Sequence, residues 1–170
     1  MVLRAAKVLN FDETDEKKER KVRICIKLIT FAQVMTLKEF FKNDRFAEMT
    51  GCELLEIREG YARARMLVTK EHLNGAGYCQ GGALFTLADL TYAAAVNSHL
   101  VLTVAVSSNI TYVSNVRSGY VYAEATEIVN HRRMPFTEVR ITSEDGQLLA
   151  VFTSSGYRKQ GELIDAESPV

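Results

Sequence analysis

The sequence predicts an α+β fold, an antiparallel β-sheet wrapped around one long central helix, and three observations lead there. The first is a single run, ALFTLADLTYAAAV (Ala83–Val96), that is apolar or small nearly all round and so demands burial on most sides. The second is a C-terminal third rich in Val, Ile, Thr and Tyr that reads as strand after strand. The third is size: 170 residues with 47% hydrophobic content bury one substantial core and are short for two domains.

Taken in order, the elements support that reading. Residues 1–34 stand apart from the rest. A mixed-charge run, Asp12–Lys21, leads into Val22, Ile24, Ile26 and Leu28, which alternate at strand period. This extension is read as either an extra strand or an unfolded leader, or as an artefact of the start site. A compact domain can start at Met35, because Leu37, Phe40, Phe41 and Phe46 recur at near-helical spacing. Cys52–Val68 reads as a hairpin turning at Glu59-Gly60. A glycine-bearing loop, Thr69–Tyr78, follows, and Gly81-Gly82 opens the long helix, expected over Gly82–Ser98. Strands are expected at Thr103–Val113, Tyr120–Asn130, Phe136–Ser143 and Leu148–Tyr157, with Asp145-Gly146 as a hairpin turn. In the first of these, Val104, Val106, Ser108, Ile110 and Tyr112 share one face, the more apolar one. The domain is expected to end near residue 160, with 161–170 a loose polar tail.

Composition excludes several classes of function. Lys plus Arg equal Asp plus Glu at 21 each, so no long-range positive field gathers nucleic acid or an anionic membrane. The apolar run Ala83–Val96 is too short for a bilayer and carries Asp89. Cys25, Cys52 and Cys79 are odd in number and form no CxxC pair, which argues against a disulfide framework and a zinc site. Together with a charged N-terminus that lacks an apolar signal region, this places the chain in the cytoplasm. No metal-ligand cluster, phosphate-binding glycine fingerprint or Gly-x-Ser-x-Gly elbow is present, so neither metal nor cofactor is expected.

The chemistry centres on Asp89, the one charge in the central helix. Burying an ionised aspartate among Leu87, Ala88, Leu90 and Ala93 costs several kcal/mol, roughly, unless it is paired. Either it carries function, or it sits at an exposed edge of the helix. Gly81 and Gly82 leave backbone N–H groups uncovered at the helix start, where a carbonyl oxygen gaining charge can be held. Gly82 and Asp89 lie seven residues apart, about two turns or roughly 10 Å of helix, so one subunit cannot bring both to one carbonyl.

The stretch HLNGAGYCQGGALFTLADLTYAAAVNS, His72–Ser98, resembles the PaaI-type branch of hotdog-fold thioesterases, whose pattern places Asn, a loop Gly, His-Gly-Gly and Leu-Ala-Asp at this spacing. The strand order from Met35 to Tyr157 is similar to a hotdog domain, so the resemblance covers about 120 residues. It implies hydrolysis of acyl-CoA thioesters. Asp89 is then nucleophile or general base, Gly81 supplies the amide that polarises the thioester carbonyl, and Asn74 places substrate or water. It also implies a homodimer, assembled to a tetramer, in which the glycine of one chain meets the aspartate of the other. The pattern breaks at one place: Gln80 stands where the family has histidine, and an amide cannot shuttle a proton near neutral pH. A hotdog protein that binds acyl-CoA without turning it over is therefore the alternative. Further candidates for substrate contact are Gly82, Asn97, Arg117 and the basic turn His131, Arg132 and Arg133, since CoA phosphates need cations. Asn97 equally suits a helix cap.

Overall fold

The computed structural model describes residues 15–162; residues 1–14 and 163–170 of the expected extension and tail lie outside these. Contacts divide the chain between Thr36 and Leu37. In the first unit the Val22–Leu28 segment is not a strand but part of helix α1 (Asp15–Phe41). Lys, Glu and Arg, all good helix formers, fill its first turns, with Glu19 and Arg23 paired at i,i+4, 3.9 Å apart. That local preference overrides the alternation, and Val22, Ile24 and Ile26 are exposed on the helix.

The second unit continues with the last turn of α1, a short helix α2 (Arg45–Met49) and the hairpin β1 (Cys52–Arg58) and β2 (Tyr61–Val68). The central helix α3 (Gly81–Val96) follows, then β3 (Val101–Tyr112), β4 (Gly119–Val129), β5 (Phe136–Ser143) and β6 (Leu148–Glu162). The six strands form one antiparallel sheet in the order β1-β2-β4-β5-β6-β3. The hairpin turns fall at Gly60 and Gly146, both at positive φ. Strand β6 runs on to Glu162, so Gly161 and Glu162 belong to the sheet and not to a tail.

The sheet carries α3 on a graded inner face. Ala62 faces Ala125 and Ala64 faces Ala123 across β2 and β4. These rows continue into Val139 and Ile141 on β5, and into Phe152 and Ala150 on β6. All eight are fully buried. Methyl side chains on β2 and β4 let the helix approach the sheet closely, and the larger groups of β5 and β6 fill the space on its other side. The opposing helix face is Leu84, Leu87, Ala88, Thr91, Tyr92, Ala95 and Val96. On the outer face of the sheet Arg63 pairs with Glu124 at 3.2 Å and Arg65 with Glu53 at 2.7 Å.

Strand β3 departs from simple alternation. Its register to β6 shifts between Ala105 and Ser107, and this bulge re-aims the side chains around it. Thr103 is buried while Val104 and Val106 are exposed. Beyond the bulge Ser108, Ile110 and Tyr112 lie opposite the buried Ser154, Phe152 and Ala150 of β6, so the expected apolar face is split.

Replacing Ala123 with Leu should overpack the closest part of the helix–sheet contact. A loss of about 1–3 kcal/mol is expected in urea unfolding, with the fold retained.

Candidate functional site

The approach to α3 is built by side chains that spend themselves on backbone. Asn74 Oδ1 accepts from Ala76 N at 2.9 Å and Tyr78 N at 3.2 Å, and Asn74 N donates to Tyr78 O at 2.8 Å. The asparagine thus closes its own loop as an Asx turn. His72 Nδ1 accepts from Thr69 N at 3.0 Å, which makes Nε2 the donor to Thr50 O at 3.1 Å. The carbonyl of His72 takes Gln80 N at 2.8 Å. Gln80 then caps the helix. Its Oε1 accepts from Gly82 N, and its carbonyl accepts from Ala83 N at 3.0 Å.

One amide of the first turn is left over. Gly82 and Ala83 are taken by Gln80, and Gly81 N–H has no acceptor among the described residues. On the other side of Gly81, the Tyr112 hydroxyl donates to Gly81 O at 2.7 Å. A groove of about 640 Å³ opens at this helix start, bordered by Phe46, Met49, Gln80, Gly82, Phe85 and Thr86.

Asp89 lies on the same side of the helix as that groove: Gly82, Phe85, Thr86 and Asp89 are spaced i, i+3, i+4 and i+7. Together with Ala93 they form the one stripe of α3 that the sheet leaves partly open. Asp89 is therefore half-buried and not enclosed, and no hydrogen bond or ion pair holds its carboxylate among the described residues. Burial raises its pKa above the ordinary 3.8, and the Asp44 carboxylate adds to the shift. Asp44 itself caps α2, accepting from Ala47 N at 3.0 Å.

Other candidates fall elsewhere. Asn97 is 2% exposed, and its carboxamide is used up at the end of α3. Nδ2 donates to Ala93 O and Thr103 O, and Oδ1 accepts from Thr103 N at 2.8 Å. It is a cap and has no group left for substrate. Arg117 stacks over Tyr78, 4.4 Å from the ring centroid, beside the helix-start loop. His131 organises its turn, Nδ1 accepting from Met134 N at 3.0 Å and its carbonyl accepting from Arg158. Arg132 and Arg133 border a cleft of about 160 Å³ with Tyr157, Arg158 and Lys159, at the Val101 end of β3. Arg117 follows the Tyr112 end, so one chain does not bring these arginines to one surface.

Sequence reading missed three contributors. Tyr112 reaches Gly81 from 31 positions away, and only the sheet order connects them. Lys159 joins the arginine cleft because β6 outruns its expected end. His99 binds Glu127 at 2.5 Å, while Arg158 holds the other Glu127 oxygen at 2.6 Å. This buried network ties the helix end to β4 and β6. Two of the cysteines are poorly placed as nucleophiles: burial pushes the Cys79 thiol up, and burial with Asp44 pushes Cys52 up to about 12.

Among the described residues no helix is long and apolar enough to cross a membrane. No group of three or more His, Cys, Asp or Glu there could hold a metal ion.

A helix-start amide, a carboxylate two turns on and a sheet wrapped around both define a hotdog-fold enzyme. Residues 76–150 match the thioesterase superfamily model. A curated protein of Archaeoglobus fulgidus, named as a candidate esterase, is 38% identical over 119 residues, 69% of this chain and 77% of the relative. The acyl-coenzyme A thioesterase PaaI of Escherichia coli is 30% identical over 125 residues, 72% of this chain and 89% of its own. The structure of the E. coli PaaI protein superposes with a TM-score of 0.74 at 26% identity, covering 77% of this chain and 96% of that one. The chain belongs to the PaaI-like hotdog thioesterases.

The raised pKa of Asp89 carries a sign. An acid whose folded pKa lies above its unfolded value binds more protons folded than unfolded between the two, so stability falls as pH rises through that window. Asp89→Asn should therefore raise the melting temperature at pH 8. The gain should vanish below the ordinary aspartate value of 3.8 when both proteins are scanned across pH.

Proposed function

We propose that the protein hydrolyses acyl-CoA thioesters at a site formed by the Gly81 amide of one chain and Asp89 of a second. The observation that carries this is the unpartnered Asp89 carboxylate, on the same helical stripe as a groove that begins beside the unclaimed Gly81 amide. The Gly81 N–H binds the thioester carbonyl oxygen and stabilises the charge it gains. Asp89 then either attacks the carbonyl carbon or takes a proton from the water that does. In both cases the C–S bond breaks and CoA leaves as the thiolate and is protonated. With water as the attacker the acid forms directly, whereas attack by Asp89 leaves an acyl–aspartyl anhydride that a water molecule then cleaves to release the acid and restore the carboxylate. Asn74 keeps its Nδ2 to donate toward substrate or water. Gln80 shapes the helix start in place of a proton carrier.

The helix argues for the second chain. Gly81 and Asp89 sit on one continuous helix, and eight positions at roughly 1.5 Å each separate them too far to share one carbonyl. Edge strand β3 offers exposed Val104, Val106 and Tyr112, and an exposed apolar edge is a template for pairing. Antiparallel pairing of two such edges sets the Val101 end of one beside the Tyr112 end of the other. That brings the Arg132 and Arg133 cleft of one chain toward Gly81 of its mate, where cations serve the CoA phosphates.

The test is thiol release from phenylacetyl-, benzoyl-, acetyl-, hexanoyl- and lauroyl-CoA. Wild type should turn over at least one, with Asp89→Ala lowering kcat by about 10²-fold or more. The acidic limb of kcat/KM against pH should sit above the ordinary aspartate range. Tight binding of every thioester with no thiol released would instead establish a binding protein, as the Gln80 substitution allows.

Neutralising both Arg132 and Arg133 to Gln should raise KM for acyl-CoA about tenfold or more and leave kcat near wild type. The effect should shrink with the corresponding pantetheine thioester, which lacks the nucleotide phosphates.

A further inference from the structure

We infer that Tyr112 is the positioning residue for the Gly81 amide, a role that deepens the proposed hydrolysis and rests on it. Gly81 is an awkward residue on which to hang an oxyanion donor. Glycine has the widest backbone freedom, and no side chain holds it in place. As the first residue of α3, its N–H lacks an intrahelical acceptor that would fix its direction. Neighbouring amides are held by Gln80, but that cap stops at Gly82 and Ala83.

Tyr112 supplies the missing constraint in two ways. Its hydroxyl donates to Gly81 O at 2.7 Å, which pins the carbonyl of the residue. Its ring packs where a side chain would stand: a Cβ built on Gly81 meets Tyr112 Cζ and Oη at 2.8 Å. A Cβ at Gly81 would have to displace the tip of the Tyr112 ring and with it the hydroxyl's bond to Gly81 O, so the tyrosine occupies the space a side chain would take. The ring is carried by β3, in register with Ala150 of β6, so the donor is referenced to the sheet and not to its own loop. Burial raises the pKa of the Tyr112 hydroxyl further above its ordinary 10.0, with Cys79 adding, and the group stays a donor throughout the working range. A donor held in place before reaction costs no reorganisation when charge develops.

Four variants test this with the best thioester of the panel: Tyr112→Phe, Tyr112→Ala, Gly81→Ala and the double variant Gly81→Ala/Tyr112→Ala. Losing the positioning bond while keeping the ring should lower kcat about tenfold in Tyr112→Phe, less than the loss of an oxyanion donor outright, with KM within about twofold. Gly81→Ala should be nearly inactive, and removing the ring in the double variant should restore part of its rate. Amide ¹⁵N relaxation gives a readout independent of turnover. In Tyr112→Phe the Gly81 order parameter should fall below that of wild type while residues 83–96 stay near about 0.85. An unchanged Gly81 order parameter overturns the inference whether or not any thioester is hydrolysed, and so does an unchanged kcat in Tyr112→Phe. If Asp89→Ala keeps wild-type turnover, the hydrolytic reading fails separately.

Discussion

Everything in this domain depends on how closely the central helix lies against β2 and β4. Ala62, Ala64, Ala123 and Ala125 meet in cross-strand pairs and are fully buried, so the helix rests nearly on backbone there. That close approach fixes the rotation of α3 about its axis, because Leu84, Leu87, Ala88, Thr91 and Ala95 must all face inward. Rotation in turn decides which residues remain outside. Gly82, Phe85, Thr86, Asp89 and Ala93 fall on the uncovered stripe, and the carboxylate stands where a second molecule can reach it while its helix neighbours keep it half dry. The raised pKa is a by-product of the same packing.

The two ends of α3 are held by different physics. At the start, hydrogen bonds from Asn74, His72 and Gln80 position a loop around backbone amides, and all but the His72 bond to Thr50 O are local in sequence. At the end, Asn97 caps the helix and the ionic network of His99, Glu127 and Arg158 joins it to β4 and β6. The Glu127 side chain is 2% exposed, with Arg158 on one oxygen and His99 Nε2 on the other, an arrangement that is costly to break once formed. Arg158 also donates to Asn130 Oδ1 and to the His131 carbonyl, so the turn that presents Arg132 and Arg133 is braced by the same network.

Much of this was legible in the sequence because its signals are local. The hairpin at Glu59-Gly60, the all-apolar helix and the four later strands follow from periodicity and turn chemistry, and the structure moves their ends by a few residues. The Asn-Gly, Gly-Gly and Leu-Ala-Asp spacing marks the loop and central helix, most of which lie within the residues 76–150 that match the thioesterase family. What failed was context. The alternation in Val22–Leu28 lost to the helix-forming residues around it. Asn97, read as a helix cap first and a substrate contact second, is the cap, its amide consumed by Ala93 and Thr103. The bulge at Ala105–Ser107 has no marker in the sequence, and it splits the apparent apolar face of β3, leaving Val104 and Val106 exposed while Ser108, Ile110 and Tyr112 stay opposite the buried row of β6. The network at Glu127 joins residues 28 and 31 positions apart, beyond the reach of any local pattern.

The Gln80 substitution takes on a definite meaning in this setting. A histidine at a helix start can cap, donate to substrate and carry a proton, one role at a time. Glutamine keeps two of these in a fixed division: Oε1 caps Gly82, and Nε2 faces outward as a permanent donor. Both nitrogens of His72 are committed to Thr69 and Thr50, so the helix start offers no free imidazole to the proposed reaction. In the general-base form of the proposed hydrolysis the proton taken from water is held by Asp89, and its raised pKa suits it to that duty better than an ordinary surface aspartate. The same burial that destabilises the charged carboxylate makes it the stronger base in the proposed hydrolysis, so the packing of the helix against β2 and β4 serves that chemistry as well as the fold.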